Sequence, residues 1–233
     1  MNEWIKDYED VLEMLDSFFR EPAPFWDRFY KDREKKIPFF VKEPDENLVG
    51  YFDNGLFAKG KVLELGCGPG RNALYFSHQG CQVDAVDLSG ESLEWANERA
   101  DEAGADIHFI KQNIFHLSIE EGTYDIVYDS GCFHHIAPHR RNSYIHLVEK
   151  ALKPGGYFAL TCFKEGGELG GATLTDWDVY RQGSLKGGLG YTEDKLRTLF
   201  HPFHEVEIRE MNECKESGAF GVRGLLTAVF RKW

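Results

Sequence analysis

Residues 64–70, Glu-Leu-Gly-Cys-Gly-Pro-Gly, set Gly66, Gly68 and Gly70 at alternate positions behind a short apolar run. Glycine lets a backbone bend sharply and approach a ligand with no Cβ in the way. Arg71 to His78 follows as a helix pattern, and a helix start offers free N–H groups and a positive dipole end. Strand, glycine turn and helix start together can hold a nucleotide-type ligand. The acid two residues ahead of the turn is Glu64. Seventeen residues beyond Gly70 the run Val83-Asp84-Ala85-Val86 ends in Asp87, followed by Leu88. An acid at the end of a second strand can grip a ribose diol. A further cluster, Asp129-Ser130-Gly131-Cys132-Phe133-His134-His135, ends another apolar run. His134 and His135 are the candidate general bases, because histidine titrates near neutral pH and can take a proton from a thiol, hydroxyl or amine. His116 is a weaker candidate. Cys132 has no basic partner nearby in sequence and reads as a small apolar side chain.

These groups must be positioned by an alternation of strands and helices. Strands are expected at 62–65, 83–87, 107–110, 124–129 and 157–162. Helices are expected at 71–78, 89–103 and 139–152. Ser89 suits an N-cap, Leu93, Ala96, Ala100 and Ala103 make one buried stripe, and Gly104 is a stop. Lys153-Pro154-Gly155-Gly156 breaks the chain again. Residues 163–190 hold eight glycines with Trp177 and Tyr180 and no evident core strand; a connection this long is usually functional or mobile, and it is read as a substrate-side flap. Thr192 should cap a helix to Phe200, and two alternating runs follow at 203–211 and 225–230, joined by a polar loop over 212–224. The leading sixty residues differ. Residues 3–19 show helical periodicity, Pro22 and Pro24 end that helix, and an aromatic segment follows. Another short helix is expected at 47–52.

At Glu64–Gly70 and Asp87 the chain resembles the class I S-adenosylmethionine (SAM) dependent methyltransferases, whose first motif is E-x-G-x-G-x-G and whose second ends in an acid. Leu152–Thr161, LKPGGYFALT, widens the resemblance to about residues 61–162. It implies an α/β fold: a doubly wound, mostly parallel seven-stranded sheet with an antiparallel last strand. Residues 1–60 would form a helical cap on the same domain, and residues 61–233 the methyltransferase domain with its flap. The resemblance assigns Glu64, Gly66, Gly68, Gly70, Asp87 and Leu88 to the cofactor, whose product is S-adenosyl-L-homocysteine. It puts Asn113 and Ile114 on the adenine, and Asp129 near the methionine amino end. An N-terminal extension in this family often covers the cofactor, so Trp26, Tyr30, Phe39 and Phe40 are candidates for ligand contact. The aromatic N-terminus and Asp129-Ser130-Gly131 loosely resemble the thiopurine and tellurite branch, which modifies small, soft nucleophiles.

The net charge of −12 and the absence of a basic block speak against nucleic acid as a partner. Five scattered cysteines without C-x-x-C spacing fit neither a disulfide framework nor a zinc site, and no metal is expected. The acidic, amphipathic N-terminus is no signal peptide, and no apolar run reaches the ~20 residues a bilayer needs. The expected protein is cytoplasmic, with a small-molecule methyl acceptor bearing an S- or O-nucleophile. Three alternatives stay open: a protein or RNA methyltransferase, a SAM-binding protein without catalysis, and an NAD-dependent oxidoreductase. The G-x-G-x-G spacing favours SAM over the G-x-G-x-x-G of dinucleotide folds.

Overall fold

A computed structural model describes residues 4–214 and 218–233. Seven strands form one sheet: β1 (Lys61–Leu65), β2 (Gln82–Asp87), β3 (His108–Lys111), β4 (Tyr124–Ser130), β5 (Leu152–Phe163), β6 (His204–Glu210) and β7 (Leu225–Arg231). Their order is β3-β2-β1-β4-β5-β7-β6. Only β7 runs antiparallel to its neighbours, β5 and β6. Strand order reverses between β1 and β4, which is where open α/β sheets bind ligands beyond their carboxyl ends. Register there pairs Leu65 with Asp129 and, on the other side of β1, Leu65 with Val86. The glycine turn, Asp87 and the Asp129 cluster thus meet at one edge.

The central strands read as continuous apolar runs because both faces are covered. On one face Leu63, Leu65, Val127, Phe158, Leu160 and Phe230 pack with Tyr144 and Val148 of α6 (Arg141–Ala151) and Leu196 of α8 (Glu193–Leu199). On the other, Val62, Ala85 and Tyr128 pack with Leu48 of α3 (Glu46–Asp53), Phe76 of α4 (Arg71–His78) and Leu93 of α5 (Gly90–Ala103). Ser89 caps α5 by accepting the Ser92 N–H, and Gly104 ends it in the left-handed conformation, as the sequence predicts.

Three local expectations are corrected. The first helix, α1 (Tyr8–Asp16), is shorter than 3–19, because Asp7 and Asp10 form a reciprocal capping box that fixes its start; residue 3 lies outside the described residues. Pro22 and Pro24 open a helix, α2 (Pro22–Lys31), where a stop was expected. Proline is tolerated in a first turn, whose N–H groups have no intrahelical partner anyway. Lys153–Gly156 does not precede β5 but lies within it, at a register shift against β4. Residues 163–190 also contain a helix, α7 (Asp176–Gln182), capped by Thr175. Of the polar loop at 212–224, residues 215–217 lie outside the described residues. Among the described residues no helix is long and apolar enough to cross a membrane.

Candidate active site

The turn after β1 is held from both sides. The Cys67 N–H donates to the Val86 carbonyl at 2.9 Å, and the Gly68 N–H donates to Asp87 Oδ2 at 2.8 Å. Asp87 Oδ1 accepts the Ser89 N–H at 2.8 Å. The Ser92 side chain and the Leu88 N–H also favour the carboxylate, which stands at the end of β2 where an acid can grip a ribose diol. Burial raises the Asp87 pKa, while these backbone N–H groups pull it down. Two glycines are dictated by geometry. A Cβ on Gly66 would stand 2.7 Å from the Cys132 Cβ, and one on Gly68, at φ +52°, would stand 3.0 Å from the Tyr30 hydroxyl.

Beneath the turn, Glu64 is 2% exposed, and its Oε2 has no hydrogen-bond partner. Burial pushes its carboxyl well above the ordinary range, against the pull of Arg71. A buried carboxyl oxygen with no donor is costly and suits a ligand ammonium. At the end of β3, the Gln112 N–H donates to the Asp87 carbonyl at 3.1 Å, which sets Asn113 beside the ribose-type acid. Asn113 Oδ1 accepts the Phe115 N–H at 3.1 Å, and Ile114 is buried next to it. Leu88 is half-buried behind Asp87.

Asp129 is fully buried. Its Oδ1 accepts the N–H groups of Cys132 and Phe133 at 2.9 and 3.3 Å, and its Oδ2 accepts the Tyr144 hydroxyl at 2.5 Å. Oδ1 therefore holds the start of the 3₁₀ turn at 133–135, and Oδ2 ties it to α6. Burial raises its pKa to about 7 in spite of those donors. The two histidines on that turn separate. His134 is buried; it stacks on Phe163 at 3.8 Å, and its Nδ1 accepts the Phe163 N–H at 3.2 Å. Its carbonyl accepts the Leu189 N–H, so it fastens the connection after β5 to the sheet edge. Burial holds its pKa well below the ordinary value. His135 is half-buried and faces Trp26 edge to face at 4.8 Å. Burial, helped by the Arg20 charge, lowers its pKa to about 3, so its imidazole stays neutral. His116 is exposed on the β3 side. Cys132 packs against Gly66, its thiol pushed well up by burial.

Helix α2 lies across this edge. Asp27 Oδ1 accepts the Ser89 hydroxyl at 2.8 Å and the Glu91 N–H at 3.4 Å, binding α2 to the start of α5. Tyr30 and Trp26 reach the site. Phe40 stacks behind Tyr30 at 5.7 Å, and Phe39 packs away from it, beside Val41, Met211 and Phe220.

Sequence reading did not single out Asp45 and treated Arg71 only as the residue after the turn. Buried Arg71 donates to Asp45 at 2.5 Å, to Ser130 Oγ at 3.2 Å and to the Glu43 carbonyl at 3.1 Å. Asp45 also accepts from Asn72 Nδ2 at 3.0 Å and from the Tyr128 hydroxyl at 2.8 Å. This network ties the N-terminal segment to the glycine-turn helix. The available signal is an arginine on the buried side of an apolar helix, which demands a carboxylate somewhere.

Residues 62–156 match the family model described as a methyltransferase domain. A ubiquinone biosynthesis O-methyltransferase of Erwinia tasmaniensis is 36% identical over 104 residues, covering 44% of this chain and 42% of that protein. A 2-heptyl-1-hydroxyquinolin-4(1H)-one methyltransferase of Mycobacteroides abscessus is 24% identical over 156 residues, 66% of each chain. The chain thus spans less than half the length of the first of these curated relatives. Among solved structures, the 1,6-didemethyltoxoflavin-N1-methyltransferase of Burkholderia thailandensis, with bound 1,6-didemethyltoxoflavin and S-adenosylhomocysteine, superposes with a TM-score of 0.65 at 22% identity, over 100% of this chain and 93% of that one. TehB from Haemophilus influenzae superposes with a TM-score of 0.61 at 22% identity, over 80% and 62%. At these identities the structural likeness bears on the fold.

Proposed function

We propose that this chain, which belongs to the class I S-adenosylmethionine-dependent methyltransferase superfamily, methylates a small-molecule acceptor through an S- or O-nucleophile. SAM is the cofactor of that superfamily. One observation carries the reading: the Asp87 carboxylate, braced by the N–H groups of Gly68 and Ser89, stands at the end of β2 beside a left-handed glycine turn, where an acid can grip a diol. The remaining parts fit the same ligand. Glu64 offers an unpaired buried acid to an ammonium, Asn113 and Ile114 an amide and an apolar wall to a base, and Gly66, Gly68 and Gly70 an open backbone.

When bound, SAM supplies a methyl group on a positive sulfur; an acceptor lone pair forms the new bond to that carbon as the carbon–sulfur bond breaks and its electrons return to sulfur. Alignment and exclusion of water are the protein's main contributions to such a displacement. Asp129 acts through the 3₁₀ turn at 133–135, which it positions. His135 presents a neutral imidazole with an open edge, able to accept a hydrogen bond from the acceptor and orient it. With a pKa near 3 it is a weak base. That favours acceptors that lose their own proton readily, namely thiols and acidic hydroxyls. Trp26 and Tyr30, from a cap made of residues 1–60, and Phe163 of the flap close over the site.

The small-molecule class is supported by what the relatives' names state of those proteins, and by the net charge of −12, which disfavours a nucleic-acid partner. The cysteines among the described residues are free thiols, which fits a reducing compartment such as the cytoplasm. Calorimetric titration with SAM, S-adenosylhomocysteine and NAD tests the cofactor. Micromolar binding of both adenosyl ligands without NAD is expected. NAD binding alone would replace the reading with an oxidoreductase, and SAM binding with no turnover across a thiol and phenol screen would leave a binding protein.

A further inference from the structure

Among the described residues, one exposed arginine beside the aromatic residues of α2 makes no ion pair. Several guanidinium groups are met by carboxylates, Arg140 by Asp16 and Glu9, Arg141 by Asp176, Arg33 by Glu98 and Arg71 by Asp45, whereas Arg99 and Arg231 donate to backbone carbonyls. Arg20, in the connection between α1 and α2, has no such partner among the described residues. Its guanidinium carbon stands 3.3 Å from the centre of the Phe25 ring. A guanidinium stacked on an aromatic face keeps its in-plane N–H fork free for a planar anion. From Phe25 the aromatic surface is unbroken to the reacting edge. Phe25 meets Trp26 at 5.0 Å, and Trp26 meets His135 at 4.8 Å. The Arg20 charge is felt at the His135 imidazole, which it helps to keep neutral. One end of this strip is the half-buried, neutral His135 imidazole on the turn after β4. The other offers the Arg20 fork donor, two aromatic residues away.

Resting on the methyltransferase reading above, we propose that the acceptor is an aromatic acid, its nucleophile at His135 and its carboxylate read by Arg20. The ring lies along Trp26 and Phe25. A thiolate or phenolate lone pair forms the bond to the methyl carbon, the carbon–sulfur bond of the donor breaks, and the acceptor's proton is released to solvent. Arg20 takes no part in the bond changes; it selects and orients.

Paired acceptors differing only in charge test this. Methylation of 4-mercaptobenzoate and 4-methylbenzenethiol would be followed by mass spectrometry, and binding of 4-hydroxybenzoate and 4-hydroxybenzyl alcohol would be followed calorimetrically with S-adenosylhomocysteine present. The acid of each pair should be favoured about tenfold or more, the preference should shrink as salt rises, and Arg20→Gln should erase it through KM and Kd while S-adenosylhomocysteine still binds. A purely packing role for Arg20 would lower the melting temperature and leave the preference intact. Equal binding of acid and alcohol, or a preference that survives in Arg20→Gln, overturns the proposal even if neither thiol is turned over. Failure of S-adenosylhomocysteine to bind the wild-type protein would instead strike the methyltransferase reading itself.

Discussion

The Asp87 carboxylate accepts the backbone N–H of Gly68 at 2.8 Å, so the acid that would grip a ribose also holds the middle of the glycine turn. One side chain thus shapes the cradle and lines it. Asp87→Ala should weaken SAM binding by about 1–3 kcal/mol, the scale of a lost hydrogen bond to a charged group. Calorimetry on a variant with a cooperative melt checks this, and unchanged affinity would remove the ribose assignment. Asp87→Asn keeps one oxygen acceptor and should lose less.

Gly68→Ala combines two costs. The left-handed φ of +52° disfavours any Cβ by roughly 1–2 kcal/mol, and the new methyl would crowd the Tyr30 hydroxyl. The variant should be less stable by about that amount and bind SAM more weakly. Adding Tyr30→Phe removes the crowding oxygen and should recover part of both losses. A double-mutant cycle with no coupling between the two positions would mean that Tyr30 does not rest on the turn in solution.

The two histidines should separate kinetically. If His135 orients the acceptor, His135→Ala should lower kcat about 10²-fold, the scale of a misplaced reactant, with little change in SAM affinity. His134→Ala should lower the melting temperature, since it strips Phe163 of its stacking partner and its N–H acceptor. With the His135 pKa near 3, the kcat profile should show no histidine step between pH 5 and 8. A step near 6.5 that disappears in His135→Ala would show instead that this imidazole titrates as a working base.

Asp129 predicts an unusual pH dependence of stability. Its folded pKa of about 7 lies above its ordinary 3.8, so the folded state holds the extra proton between those values. Stability from this group is therefore full below about pH 4, falls as pH rises, and levels off above about 7. Three units correspond to about 4 kcal/mol. Asp129→Asn should flatten the melting-temperature profile over this window relative to wild type. Tyr144→Phe, which removes a donor that favours the carboxylate, should shift the plateau to higher pH. A wild-type profile that rises from pH 4 to 7 by as much as that of Asp129→Asn would contradict the assignment.

What could be read from the chain was what is local in it. The strand–turn–helix around Gly66–Gly70, the Ser89 and Thr192 caps and the apolar runs of β1, β4 and β7 each declare themselves within a few residues, because spacing and side-chain type decide them. The seven strands and the antiparallel last one follow from the family resemblance and are what the structure has. Contacts between distant segments stayed hidden. Nothing in the spacing pairs Asp45 with Arg71, Asp27 with Ser89, or Tyr30 with Gly68. The two prolines of α2 were misread because proline both ends and opens helices, and only the following packing against α5 decides which. Helix α7 is seven residues long, set among glycines, too short for periodicity to show. At the site, the sequence placed His134 and His135 together as equals; the distinction between a fastener and an open imidazole depends on Phe163, nearly thirty residues on.

The placing of β7 bears on how the chain is made. Residues 225–231 sit inside the sheet, between β5 and β6, although they are translated after both. While they remain within the ribosome, β5 carries a bare edge from Tyr157 to Phe163 and β6 has no strand to pair with. An unpaired apolar edge is a template for association with other chains. The nascent protein therefore passes through a sticky stage that ends only when its last strand emerges, and a stop codon ahead of residue 225 should yield aggregate in place of a smaller folded protein.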